Sequence, residues 1–166
     1  MPKQLFLIRH AKSDWNSTDL RDFDRPLNKR GYSNAPEMAN RMVKKQIFPD
    51  LIISSPALRA ITTATSFAEN WGIDQSKIQQ EHSIYEANFK SLLVLVNQLD
   101  NQFERVAMFG HNPGLTDLVN YLSDANIYNM PTCSVVMIEF PFENWNEVSA
   151  DTGKVVLFDY PKSLDD

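Results

Sequence analysis

The sequence is poor in cysteine and in long apolar runs. Cys133 is the only cysteine, so no internal disulfide and no multi-cysteine metal site can form. No apolar run approaches the roughly 18 residues that are needed to cross a bilayer. Residues 1–8 lack the long apolar core and the small-residue cleavage site of a signal peptide. These absences predict a cytoplasmic protein without a membrane partner.

The composition that is present is typical of a folded globular protein. Hydrophobic residues make up 43% and charged residues 22% of 166 residues, which predicts one domain over residues 1–166. The net charge of −5 argues against an anionic ligand, but residues 1–60 hold 11 of the 16 Lys and Arg against 6 acids. Such asymmetry can create a positive site on an acidic protein, although uneven scatter explains the counts equally well.

Short apolar segments alternate with helical patterns along the chain. Strands are predicted at residues 4–8, 51–53, 78–80, 105–109, 133–140 and 154–160, the last two as an antiparallel pair. The first predicted helix begins after a cap at Asn28 and ends at about residue 46. The second begins with a cap and a first-turn proline at residues 54–56 and ends at about residue 71. Two further helices are predicted at residues 89–99 and 115–122. The alternation predicts an α/β fold, a three-layer α/β/α sandwich around a mostly parallel sheet. Residues 13–26 show neither helical nor alternating hydrophobic periodicity, which predicts a long polar loop.

Three of the predicted strands end in polar residues. The residues at these ends are Arg9 and His10, Ser54 and Ser55, and Gly110 and His111. In open α/β sheets the ligand lies beyond the carboxyl ends of the strands, so these turns should converge there with Arg59 of the following helix. Two histidines and two arginines in one crevice suit a phosphate dianion.

The residue types also suggest a reaction. Neutral imidazole is a nucleophile whose phosphoryl adduct water can hydrolyse, and Arg9, Arg59 and a protonated His111 can neutralise the phosphoryl oxygens without a metal ion. A structural role for His10 and a surface role for Arg59 remain alternatives. A metal site using His10, His111 and Asp14 is disfavoured because cationic neighbours oppose a bound cation.

Four segments resemble the signatures of the histidine phosphatase superfamily, which includes phosphoglycerate mutases and many phosphatases. The segments are Arg-His-Ala-Lys-Ser-Asp-Trp-Asn from Arg9, Asp-Arg-Pro-Leu from Asp24, Ser-Ser-Pro-Ala-Leu-Arg-Ala from Ser54, and Gly-His-Asn-Pro-Gly from Gly110. The last, together with the Arg-His-Ala-Lys-Ser form, is similar to the small SixA-type phosphohistidine phosphatases. The resemblance implies a phosphoglycerate mutase-like fold and no cofactor.

The resemblance also implies roles for individual residues. His10 is then the phosphorylated nucleophile, and the phosphate pocket is completed by Arg9, Arg59 and His111. Asn16 stands where the signature asparagine contacts the phosphate, and Ser13 is an additional candidate donor.

The sequence departs from the family pattern in one place and leaves the general acid open. Ala11 replaces the signature glycine, which adds one methyl group beside the nucleophile. Glu86 matches the position of the acid that protonates the leaving oxygen, with Glu81 and Asp14 as weaker candidates. Glu86 can equally be an exposed helix-capping acid.

The remaining residues with reactive or charged side chains are given no catalytic role. Arg21 and Arg25 are either substrate contacts or surface residues. The same two alternatives hold for Lys12. His82 is expected to be exposed and non-catalytic, and Cys133 to be buried in a strand.

The function that these residues predict is hydrolysis of phosphohistidine on a protein or of a small phosphomonoester. The expected partner is therefore a phosphorylated small molecule or a phosphohistidine protein, with no nucleic acid. Two alternatives stay open. A phosphoglycerate mutase would need lid elements that keep water out, and residues 64–86 leave little chain for a lid. A non-catalytic phosphate-binding module would use the same pocket without turnover.

Overall fold

The computed structural model describes residues 2–15 and 19–162. In this part of the chain the strands are β1 (Lys3–Arg9), β2 (Leu51–Ser54), β3 (Gln79–Gln80), β4 (Arg105–Gly110), β5 (Val135–Phe140) and β6 (Lys154–Asp159). The helices are α1 (Lys29–Lys44), α2 (Leu58–Trp71), α3 (Phe89–Asn97) and α4 (Gly114–Leu122). Single 3₁₀ turns lie at Asp22–Asp24, Gln75–Lys77, His82–Ile84 and Trp145–Glu147. No helix in the described residues is long and apolar enough to span a membrane.

The strands form one sheet in the order β3-β2-β4-β1-β5-β6. The neighbours β3, β2, β4 and β1 run parallel to one another, as the strand–helix alternation predicts. Strand β5 is antiparallel to β1, and β6 is antiparallel to β5, which confirms the predicted C-terminal pair. The carboxyl ends of β1, β2 and β4 therefore lie at the same edge of the sheet.

Helices cover both faces of the sheet and complete the three predicted layers. On β1, Leu5 and Leu7 point to the face that packs against α3 and α4. Phe6 and Ile8 point to the opposite face and join the core of α1 and α2. All four side chains are at most 1% exposed, and burial of each stabilises the fold by about 1.5–3 kcal/mol. The α/β/α architecture is confirmed.

The start of α1 is tied to the chain that follows β1. Asn28 caps the helix as predicted, since its Oδ1 accepts a hydrogen bond from the Gly31 amide at 2.9 Å. The Asn28 amide donates to the Lys12 carbonyl at 2.9 Å. Gly31 packs so closely on the Lys12 carbonyl that any Cβ at this position would clash with it. These contacts fix the backbone two residues after His10.

The sequence-based boundaries are wrong at two places near this edge of the sheet. Helix α2 begins at Leu58 rather than at Pro56, because Ser55 forms a turn in which its Oγ accepts a hydrogen bond from the Ala57 amide at 3.2 Å. Cys133 is buried as expected but does not belong to a strand. Its φ is +61°, and its amide donates to the carbonyls of Arg9 and His10 at 3.1 and 3.0 Å, so β5 begins two residues later.

Candidate active site

The carboxyl ends of β1 and β4 bring the turns that carry His10 and His111 together. The His10 amide donates to the Gly110 carbonyl at 3.1 Å, which continues the β1–β4 pairing past the end of β1. The Ser55 amide donates to the Phe109 carbonyl at 3.0 Å and does the same for β2. The ring centroids of His10 and His111 consequently lie 5.2 Å apart.

The side chain of His10 is held in one protonation pattern. It is 7% exposed, and its Nδ1 lies 2.7 Å from the carbonyl oxygen of Ala11. Because a carbonyl can only accept, Nδ1 carries the proton and Nε2 keeps its lone pair. Burial, assisted by the positive charges of Arg59 and Arg9, lowers the pKa of His10 to about 3 against the opposing effect of the Ala11 hydrogen bond. At neutral pH the imidazole is therefore uncharged, with Nε2 able to act as a nucleophile.

His111 lies beside His10 and is bound at its other ring nitrogen. Its Nε2 is 2.8 Å from the Oγ of Ser55, and its ring packs edge-on against Tyr85 with centroids 5.6 Å apart. Its Nδ1 is buried and has no hydrogen-bond partner in the described residues. Burial, followed by the charge of Arg59, lowers the pKa of His111 to about 4. The protonated His111 that the residue types suggested is therefore not the form of the free protein at neutral pH.

Two arginines complete what we call the strand-end cluster, which consists of Arg9, His10, Arg59 and His111. Arg9 Nη1 donates to the Met130 carbonyl at 2.8 Å, and Arg59 is 6% exposed on the first turn of α2. Burial and the neighbouring charge of Arg59 lower the pKa of Arg9. The Nε atoms of Arg9 and Arg59 are buried without a partner in the described chain. The cluster is thus a site of concentrated, incompletely compensated positive charge.

Asp22, in the polar loop, is an acidic residue that contacts this cluster. Arg59 donates to it twice, from Nη1 to the backbone carbonyl at 2.7 Å and from Nη2 to Oδ2 at 3.0 Å. The hydroxyl of Tyr85 donates to Oδ2 at 2.7 Å and Arg25 Nε to Oδ1 at 3.1 Å. Although burial opposes ionisation, these hydrogen bonds lower the pKa of Asp22 to about 2. No motif in the sequence singles out Asp22.

Comparison with known proteins places this arrangement in a family. The profile of the histidine phosphatase superfamily (branch 1) matches residues 5–114. The chain belongs to the histidine phosphatase superfamily. An uncharacterized chloroplastic protein of Arabidopsis thaliana is 29% identical over 159 residues, which are 91% of this chain and 72% of that protein. A 2,3-bisphosphoglycerate-dependent phosphoglycerate mutase of Clavibacter michiganensis is 28% identical over 93 residues, 55% of this chain but only 37% of the mutase.

Solved structures agree with the family assignment. The structure of the proposed phosphohistidine phosphatase SixA from Agrobacterium tumefaciens has a TM-score of 0.82 and 27% identity, and the match covers 98% of this chain and 100% of that one. A protein histidine phosphatase SixA complexed with tungstate has a TM-score of 0.80 at 19% identity, over 95% of this chain and 96% of that one. The second similarity concerns the fold alone. Membership of the superfamily indicates a phosphatase or phosphoryl-transfer enzyme.

Four of the residues that the histidine phosphatase signature points to lie in the strand-end cluster, and Ser13 lies outside it. Ser13 is buried, but its Oγ accepts a hydrogen bond from Arg25 Nη1 at 2.7 Å, so it anchors the polar loop. Arg25 is 6% exposed and its guanidinium lies 3.4 Å from the ring centroid of the exposed Trp15. Asn16 lies outside the described residues, and its predicted contact with phosphate stays a prediction.

Glu86, the predicted general acid, lies at the rim of the site. Its side chain is exposed, and its φ of +59° is in the left-handed region that non-glycine residues seldom adopt. The next residue, Ala87, packs its carbonyl against Gly114, so closely that a Cβ on Gly114 would clash with it. This contact ties the Glu86 turn to the start of α4, three residues after His111. Its role as the acid stays a prediction.

The other candidates lie farther from the cluster or on its surface. His82 is exposed, as expected, and its ring centroid is 6.2 Å from that of Tyr85. Lys12 is exposed, and Arg21 is exposed and paired with Asp24. Within residues 2–15 and 19–162 there is no group of three or more His, Cys, Asp or Glu side chains that could hold a metal ion.

Proposed function

We propose that the protein is a phosphatase that transfers a phosphoryl group to Nε2 of His10 and then to water, without a metal ion. The substrate is phosphohistidine on a protein or a small phosphomonoester. The geometry of the strand-end cluster is the support for this proposal.

One observation carries the proposal. Three buried nitrogen atoms of the strand-end cluster have no hydrogen-bond partner in the described chain. They are Nε of Arg9, Nε of Arg59 and Nδ1 of His111, and the ring of His111 lies beside that of the nucleophile His10. Buried donors without partners are rare and unfavourable, so such a group marks the place where a ligand accepts hydrogen bonds. The two arginines carry two positive charges, which match the two negative charges of a phosphoryl group.

The first step follows from the protonation pattern of His10. The Nε2 lone pair forms the bond to phosphorus while the bond from phosphorus to the leaving atom breaks. That atom takes the electron pair and is protonated by Glu86 or by water. The phosphorylated imidazole gains positive charge, which the hydrogen bond from Nδ1 to the Ala11 carbonyl stabilises. Water then attacks phosphorus, the P–Nε2 bond breaks, and His10 returns to its neutral form as inorganic phosphate leaves.

The leaving group decides whether a strong acid is needed. An ester oxygen leaves as an alkoxide unless it is protonated, and a positioned acid contributes about 10²–10⁴ in rate. The imidazole of a phosphohistidine leaves more easily because its P–N bond is labile. Glu86 is exposed and follows Tyr85, whose ring packs against His111. Because a phosphohistidine makes the smaller demand on an acid, we favour it over a simple ester as the substrate.

A mutase is the second candidate because mutases are among the relatives of this chain. A mutase must keep the phosphoryl group away from water. Between α2 and α3 the chain holds only two 3₁₀ turns and the two-residue strand β3, which do not build a cover of the kind that this function requires. Hydrolysis is therefore expected to outpace transfer between two hydroxyl groups.

The test compares wild type, His10→Ala and the matched control His82→Ala on p-nitrophenyl phosphate and on a phosphohistidine protein, with EDTA present. Wild type and His82→Ala should turn over at least one of these substrates, whereas His10→Ala should lose turnover. Rapid quenching in alkali followed by mass spectrometry should find the phosphoryl group on the peptide that contains His10. Vanadate, which mimics pentacoordinate phosphorus, should inhibit the hydrolysis.

Three results would contradict the proposal. An active His10→Ala variant would remove the nucleophile from the mechanism. A wild type that binds phosphate but turns over neither substrate would indicate a binding module. A long-lived phosphorylated His10 that returns its phosphoryl group to phosphoglycerate faster than to water would indicate a mutase.

A further inference from the structure

Ser55 contacts the strand-end cluster without belonging to it. It follows β2 directly, is 0% exposed, and its Oγ lies 2.8 Å from Nε2 of His111. The same Oγ accepts a hydrogen bond from the Ala57 amide at 3.2 Å. One serine hydroxyl therefore touches both the turn before α2 and the second histidine of the cluster.

A count of donors and acceptors decides the direction of the Ser55–His111 hydrogen bond. A serine hydroxyl has one proton to donate, and the Ala57 amide has already taken one of its acceptor positions. If His111 donated from Nε2, the Ser55 hydroxyl would accept twice and its own proton would have no partner in a fully buried site. If Ser55 donates to Nε2, every group is satisfied except Nδ1 of His111, which then carries the ring proton.

We propose that Ser55 is a positioning residue that donates to Nε2 of His111 and thereby fixes the proton of His111 on Nδ1. The role of that proton as a donor to the phosphoryl group rests on the phosphatase function proposed above. The protonation pattern itself is a property of the free protein and does not depend on turnover.

The consequence is a pair of neighbouring histidines with opposite tautomers. The carbonyl of Ala11 holds the proton of His10 on Nδ1 and leaves Nε2 free to attack. The hydroxyl of Ser55 holds Nε2 of His111 and leaves an N–H at Nδ1. With the other tautomer, His111 would present a lone pair to the phosphoryl oxygens, and the two would repel each other.

The surroundings of His111 make the tautomer relevant at neutral pH. Burial and the charges of Arg59, Arg9 and Arg25 lower its pKa to about 4, although Asp22 opposes them. At pH 7.5 the ring is therefore neutral before substrate binds. A neutral ring can donate from Nδ1 only if its proton is on Nδ1. The hydrogen bond that Ser55 donates to Nε2 selects this tautomer.

The experiment is ¹⁵N NMR of the protein labelled at its three histidines, at pH 7.5, with inorganic phosphate absent and present. The ¹⁵N shifts of an imidazole distinguish a protonated nitrogen from an unprotonated one. His82→Gln and His10→Gln variants assign the signals. Wild type should show His111 protonated at Nδ1 and not at Nε2.

Ser55→Ala is the test variant, and Ser54→Ala is the matched control. Ser54 is equally buried, but its hydroxyl donates to the Ser55 carbonyl at 2.9 Å rather than to His111. Ser55→Ala should give a mixture of both His111 tautomers and a fall in kcat of about tenfold, less than the roughly 10²–10³-fold expected for loss of a whole charge-stabilising donor. Ser54→Ala should keep the wild-type tautomer and kcat.

The outcomes separate this inference from the proposed function. A wild-type His111 that is protonated at Nε2 overturns the role of Ser55 even if the enzyme hydrolyses phosphohistidine. A single Nδ1-protonated form that persists in Ser55→Ala, with unchanged kcat, also overturns it. A wild type with the expected tautomer but no turnover contradicts the proposed function and leaves the placement of the proton standing.

Discussion

Acid should destabilise this protein because its two cluster histidines are buried in the neutral form. The folded-state pKa values of about 3 for His10 and about 4 for His111 lie below the ordinary value of 6.5. Below pH 6.5 the unfolded chain binds a proton at each position, whereas the folded protein does not. The stability that is fully present above pH 6.5 is therefore lost as the pH falls toward the folded-state pKa values.

The size of the effect follows from the two pKa values of each histidine. At pH 5 the unfolded state gains about 2 kcal/mol for every histidine that titrates at 6.5, since each pH unit below the pKa is worth about 1.4 kcal/mol. The folded state gains almost nothing at that pH. His10 should therefore account for a loss of about 2 kcal/mol in the free energy of unfolding between pH 7.5 and pH 5, and His111 for a similar loss.

Urea denaturation of three proteins at pH 7.5 and pH 5.0 measures this loss. In His10→Asn the decrease in unfolding free energy between the two pH values should be about 2 kcal/mol smaller than in wild type. The control His82→Asn should show the wild-type decrease, because its side chain is exposed to water in the folded protein. Saturating phosphate should change the wild-type decrease in unfolding free energy, because its negative charges favour the protonated forms of the two histidines.

An equal decrease in wild type and His10→Asn would refute the reasoning. It would mean that His10 takes up its proton in the folded state as readily as in the unfolded chain. The nucleophile would then be charged at mildly acidic pH, and the acid limb of kcat/KM would appear near pH 6.5 rather than well below it.

Three further substitutions have expected outcomes. Thr63→Val removes the hydroxyl that accepts from the Ala11 amide at 2.9 Å, so it should cost about 1–3 kcal/mol of unfolding free energy and reduce kcat. Lys3→Met leaves the Asn101 and Phe103 carbonyls without their buried ammonium donor and should cost about 2–4 kcal/mol in urea denaturation while kcat stays unchanged. Cys133→Val forces a β-branched residue into a φ of +61° and should lower the thermal midpoint, at a cost of about 1–3 kcal/mol.

Much of the fold could be predicted because local patterns agree with it. The apolar runs, the Asn28 cap and the polar residues after each strand are short-range signals, and the structure places all of them as the patterns indicate. The boundaries failed where tertiary contacts replaced local preference. Cys133 lies outside β5 because its amide donates to the carbonyls of Arg9 and His10 at the end of β1.

The site could be predicted in part for the same reason. His10, His111 and Arg59 are marked by position after a strand or at a helix start, which the sequence displays. Asp22 and Ser55 have roles that depend on which atoms meet across the fold, since Asp22 lies 37 residues from Arg59 and Ser55 lies 56 from His111. No spacing in the sequence identifies Arg59 as the partner of Asp22, and the strand-end position of Ser55 does not identify the atom of His111 that it contacts.

The position of His10 at the end of β1 has a consequence for local unfolding. Strand β1 is paired on both sides, with β4 and with β5, and the backbone bonds of His10 to Gly110 and Cys133 extend this pairing beyond the strand. Segments of this kind belong to the last cooperative unit to open, whereas Asp22 is held largely by side-chain hydrogen bonds from Arg25, Arg59 and Tyr85. Amide hydrogen exchange should therefore be slowest at His10 and fast around Asp22. Fluctuations that admit or release a substrate can then occur at the rim while the nucleophile stays in register.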